Sequence, residues 1–83
     1  MMMSATKEDI RSWLKEGIEK GATHVIIALD TWDYENYPVY VYSGESVQVK
    51  VDSYKTKEDR IDEVYNLSMD IQEQLNQRRV WNL

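Results

Sequence analysis

Three carboxylates, Asp30, Asp33 and Glu35, stand close together in a D-x-x-D-x-E pattern. Oxygen ligands at such spacings suit a hard cation such as Mg²⁺ or Ca²⁺, so the loop is a candidate centre for a metal-dependent hydrolase. The pattern lacks the glycine and the terminal glutamate spacing of an EF-hand loop. The plainer reading is a solvated acidic loop, in which Asp30 followed by Thr31 forms a turn by bonding its own backbone.

The same stretch is crowded with rings. Trp32, Tyr34 and Tyr37 alternate with acids, and Tyr40 and Tyr42 follow. Rings on a loop tip suit stacking against a ring-shaped ligand or anchoring a protein interface, and Trp32, Asp33, Tyr34 and Tyr37 are the candidate contacts. Alternatively the rings fold back and complete a core that has few large aliphatic side chains.

Arg78, Arg79 and Trp81 near the C-terminus form the other candidate. Guanidinium groups match carboxylate and phosphate in bidentate fashion and an indole can stack beside them, which predicts a site for an anion or an acidic partner. The competing account is that two arginines close a helix whose dipole favours them there. His24 is the sole histidine, and no serine sits in a recognisable nucleophile setting. Pairing His24 with Asp30 or Asp33 would span a strand of roughly 20 Å, so the pair needs a second subunit to meet. No catalytic residue, metal ligand or cofactor is assigned, and an enzyme is disfavoured.

The chain has 83 residues, no cysteine, and ten basic against fifteen acidic residues for a net charge of −5. A domain this short buries only about 60% of the surface that its unfolded chain exposes. Without disulfides or thiolate zinc sites to reinforce it, oligomerisation is the common remedy. The acidic balance disfavours binding to a nucleic-acid polymer. The longest apolar run, Val25 to Leu29, falls far short of a membrane span, and Met1 to Ala5 is too short for a signal peptide, so a cytoplasmic protein is expected. With six Tyr, three Trp and no Phe, each ring carries a polar handle suited to half-buried or interface positions.

The elements follow from caps and periodicity. Thr-Lys-Glu-Asp occurs at Thr6 to Asp9 and again at Thr56 to Asp59, each time as a capping box opening a helix. In the first helix, Lys7 to Lys20, Ile10, Trp13, Leu14 and Ile18 line one side with Gly17, and Gly21 stops it. Gly17 on that side implies a strand or helix passing close by. His24 to Leu29 reads as a strand apolar on both faces. A second strand opens at Pro38 and alternates Val39 and Val41 against Tyr40 and Tyr42, so that a long loop from about Asp30 to Tyr37 joins the hairpin. Residues 45–54 fit a strand by Val47, Val49 and Val51, or a helix by Val47, Val51 and Tyr54; the helix is preferred. A last helix from Lys57 to about Arg79 would run about 23 residues, or roughly 35 Å. Its apolar residues Ile61, Val64, Tyr65, Leu67, Met69, Ile71 and Leu75 spread over an arc of about 200°, wider than one layer of partners needs, which points to a second subunit.

The run Gly21 to His24, Asp30-Thr31-Trp32-Asp33-Tyr34-Glu35 and Tyr37 to Val41 resembles a set of short, largely uncharacterised bacteriophage-encoded proteins. So do Glu63 to Leu67, Met69-Asp70, Gln74-Leu75 and Arg78-Arg79. The resemblance covers most of the chain and implies a phage accessory protein acting in a bacterial host cytoplasm. It also implies a helix over residues 45–54, and transfers no catalytic residues.

The expectation is a single α+β domain over residues 1–83 with a flexible N-terminus at 1–5. Its order is α-β-β-α-α: a small antiparallel hairpin packed on helices with a long C-terminal helix, the second sheet face or an edge completed by another subunit. The expected function is that of a non-enzymatic binding protein, an accessory or host antagonist acting as a homo-oligomer. Its ligand is either a host protein or a small phosphorylated molecule such as a signalling nucleotide. A metal-dependent hydrolase and a purely structural oligomer are the alternatives.

Overall fold

The computed structural model describes residues 5–55 and 58–83. Elements run α1 (Lys7–Lys20), β1 (Ala22–Asp30), β2 (Glu35–Tyr42), α2 (Val47–Tyr54), β3 (Asp59–Asn66) and α3 (Ile71–Leu75). The three strands form an antiparallel sheet in the order β2-β1-β3.

The first helix forms for the reasons its sequence gives. Thr6 accepts from the Asp9 amide, the Asp9 side chain accepts from the Thr6 amide, and Gly21 terminates the helix at φ 80. Ile10, Leu14 and Gly17 are buried and Trp13 is half-buried, but Ile18 is exposed, so the apolar face is narrower than the spacing suggests. A Cβ on Gly17 would lie 2.9 Å from Val25 Cγ2, which is the close strand approach expected of a glycine on this side.

Strand β1 is central, and its alternation feeds two cores. Val25 and Ile27 pack with Ile10, Leu14, Tyr65, Leu75 and Val80 beneath α1. Ile26 and Ala28 pack on the opposite face with Val39, Val41, Val51, Ile61 and Val64 beneath α2. Helix α2 turns Val47, Val51 and Tyr54 to this core and leaves Val49 exposed, which decides residues 45–54 in favour of the helix. Burying Val51 completely contributes about 1.5–3 kcal/mol toward holding the helix there.

The hairpin is tighter than expected. Strand β2 begins at Glu35 rather than Pro38, and the turn shortens to 31–34. Pro38 pairs with Ile27 inside the strand. It is tolerated because β2 is an edge strand, where a missing amide breaks no ladder.

The long C-terminal helix does not exist, and the order α-β-β-α-α is corrected to α-β-β-α-β-α. Residues 56 and 57 of the second presumed cap lie outside the described residues, and Asp59 beyond them opens β3. The register of β3 against β1 jumps between Ile27↔Glu63 and Ala28↔Ile61, leaving Asp62 as an extra residue. That bulge puts Ile61 and Val64 on one face at a spacing of three, with Tyr65 on the other. An i, i+3, i+4 pattern arises in this way without a helix. The wide apolar arc dissolves into two strand faces, and only the five residues of α3 are helical. Two of the grounds for a second subunit, a cover for the second sheet face and a partner for the overhanging helix, are met or removed within one chain. Among the described residues, no helix is long and apolar enough to cross a membrane.

Candidate functional site

The C-terminal segment is laid along the outer edge of β3 by its hydrogen bonds. The Val64 amide donates to the Val80 carbonyl, and the Asn82 amide to the Val64 carbonyl, each at 2.9 Å, which makes a parallel bridge between Val64 and Trp81. The Val80 amide donates to Glu63 Oε2 at 3.0 Å, while Glu63 Oε1 accepts from the buried Tyr65 hydroxyl at 3.0 Å. Buried Gln74 ties three elements together: Oε1 accepts from the Asn66 amide and from Asn82 Nδ2, and Nε2 donates to the Asn66 carbonyl.

This docking assigns the side chains to faces. Val80 enters the core under α1, while Trp81 turns to the α2 side. The Trp81 ring carries two cations, the Arg79 guanidinium carbon 5.5 Å and Lys55 Nζ 5.9 Å from its centroid. Both lie within the range of a cation–π contact. Arg79 Nε donates to the Asp62 carbonyl at 3.0 Å and leaves its remaining N–H groups available. The Asp62 carboxylate is engaged by Arg60 at 3.2 Å and Asn36 at 3.0 Å. Lys55, Arg78 and Arg79 have no ion-pair partner among the described residues, where the ion pairs are Lys20–Glu16, Lys50–Glu45 and Arg60–Asp62.

A cavity lies on either side of the segment. One, of about 470 Å³, is lined by Lys55, Ile61, Arg79 and Trp81. The other, of about 510 Å³, has Ile10 and Ile27 at its floor and Lys7, Asn36, Glu63 and Arg78 around it, with Arg79 lining both. Lys7 is anchored there, donating to the Gln77 carbonyl at 3.1 Å and to the Tyr65 hydroxyl at 3.4 Å.

The hairpin tip is a separate place. Asp30 Oδ1 accepts from the Trp32 amide at 2.9 Å, and the Thr31 amide and hydroxyl both donate to the Glu58 carbonyl. Asp30 therefore builds the turn, and among the described residues no three His, Cys, Asp or Glu side chains are gathered to hold a metal ion. Trp32 is 74% exposed, Asp33 is exposed, and Tyr34 takes a φ of 56 at the tip. Tyr37 leaves the surface group: its ring packs 6.5 Å from that of Tyr54, and burial with a hydrogen bond to Asp59 pushes its pKa up to about 12. Tyr40 is also drawn inward, donating to Glu16 at 2.8 Å beneath Lys20.

The tip and the cationic edge do not meet. Asp30 pairs with Asp59, whereas Val64, which holds the C-terminal segment, pairs with Ile26, about 13 Å further along β1. His24 is satisfied locally, with Nδ1 2.9 Å from Thr23 Oγ1 and Nε2 3.3 Å from the Leu83 carbonyl. Of the residues singled out in the sequence, Arg78, Arg79 and Trp81 come together at one strand edge. Lys55 joins them unannounced, since a lone lysine at the end of α2 carries no spacing signal.

No family model, no curated protein and no solved structure matches this chain.

Proposed function

We propose that the protein is a non-enzymatic binding protein whose recognition surface is the cationic edge formed by Lys55, Arg78, Arg79 and Trp81, and that its partner is an acidic protein. One observation carries this reading. In a chain with five excess acids, these three cations lie along one edge and none makes an ion pair among the described residues, the nearby Asp62 and Glu63 carboxylates being bonded to Arg60, Asn36, Tyr65 and the Val80 amide instead. Like charges held together repel, and an anionic partner removes that repulsion while Trp81 supplies a contact surface. The resemblance to phage-encoded proteins supports reading that partner as a host factor in a bacterial cytoplasm.

A second reading has its own support. In the shallow groove that Lys55, Ile61, Arg79 and Trp81 line, a phosphorylated molecule such as a nucleotide would set its phosphate on Lys55 and Arg79 and its ring against Trp81.

Calorimetric titration with poly-glutamate and, separately, with ATP and inorganic phosphate tests both. The acidic-partner reading expects poly-glutamate to bind, more weakly at higher salt, and Lys55→Gln with Arg79→Gln to abolish the heat. Tighter binding of ATP than of poly-glutamate favours the second reading. No heat with any of them refutes both.

A further inference from the structure

We infer that the acidic partner docks as an extended strand on the outer edge of residues 79–81, extending the sheet beyond β3. This rests on the acidic-partner reading above and specifies how the partner is held.

The backbone of the segment alternates. Val80 and Asn82 turn their polar groups inward: the Val80 amide meets Glu63, the Val80 carbonyl meets Val64, and the Asn82 amide meets Val64. The Trp81 amide and carbonyl fall between these bonded groups, on the side away from β3, and neither the Arg79 nor the Trp81 backbone has a hydrogen-bond partner among the described residues. An open row of donors and acceptors is a template for a further strand. A phosphate group cannot follow a row of donors and acceptors spaced along a backbone, whereas an extended peptide presents its own N–H and C=O groups at the matching strand spacing.

The charges add a sequence preference. Arg78 lines the cavity on the α1 side, and Lys55, Arg79 and Trp81 line the one on the α2 side. Consecutive residues of an added strand point to opposite faces. The best partner therefore carries two adjacent acidic residues, one for each face, within an extended stretch.

The probe is the capped peptide acetyl-Thr-Thr-Glu-Glu-Thr-Thr-amide, together with two versions N-methylated at alternate residues in the two phases. Binding is followed by calorimetry, and by hydrogen exchange at the Arg79 and Trp81 amides. The parent is expected to bind and to slow exchange at one or both amides about tenfold at saturation, and one methylated phase to bind about tenfold more weakly because it lacks the donors facing the edge. Arg78→Gln and Arg79→Gln, checked for unchanged melting, should each weaken the parent. Equal binding of the parent and both methylated peptides, with exchange unchanged, overturns the strand mode but leaves the acidic-partner reading standing. If neither the peptide nor poly-glutamate binds, both fall.

Discussion

Ile61 and Val64 lie three residues apart in β3, yet both bury their side chains in the core beneath α2. The extra residue Asp62 makes this possible by shifting the strand register between them. Ile61 is 4% exposed, so Ile61→Ala should cost about 2–5 kcal/mol in urea denaturation. A loss under about 1 kcal/mol would mean that this residue faces water.

Gly17 allows α1 to sit close on the sheet. A methyl there would meet Val25 at 2.9 Å, Leu67 at 3.2 Å and Tyr40 at 3.3 Å. Alanine gains about 1 kcal/mol in helix propensity but overpacks the contact by about 1–3 kcal/mol, so Gly17→Ala should be net destabilising. Adding Val25→Ala should recover part of the overpacking cost. A double-mutant cycle with no coupling between the sites would refute the close approach.

Glu63 holds the C-terminal segment by accepting from both the Tyr65 hydroxyl and the Val80 amide. Glu63→Ala leaves a fully buried hydroxyl and a main-chain amide without their acceptor, at a cost of about 1–3 kcal/mol. Tyr65→Phe should then cost less in the Glu63→Ala background than in the native protein, as chemical denaturation of the four variants would reveal.

Three tyrosines make stability fall in alkali. Burial, with Asp59 beside Tyr37 and Glu16 beside Tyr40, pushes both phenols up to about 12, and burial with Glu63 raises Tyr65 as well. In the unfolded chain these groups ionise near pH 10. Above that pH the unfolded state binds fewer protons than the native state, so the contribution is intact below about pH 10 and is lost as pH rises toward about 12. The denaturation midpoint should hold to about pH 9.5 and then drop. Replacing Tyr37 and Tyr40 with Phe should flatten the drop.

The sequence by itself determined the parts whose signals are local. The Thr6 and Asp9 cap, the Gly21 stop and the double-faced apolar run of β1 each act within a few residues, whereas residues 45–54 fit a strand or a helix until packing on the sheet settles them. Candidate residues Arg78, Arg79 and Trp81 were also legible, because their chemistry does not depend on the element that carries them. Tertiary structure decided the rest. Residues 59–66 have a spacing that a helix and a bulged strand share, and only pairing with β1 makes the strand the better use of their backbone groups. Lys55 reaches Trp81 because α2 covers one sheet face and the C-terminal segment lies along the far edge of β3, an encounter between residues distant in the chain that no local pattern encodes.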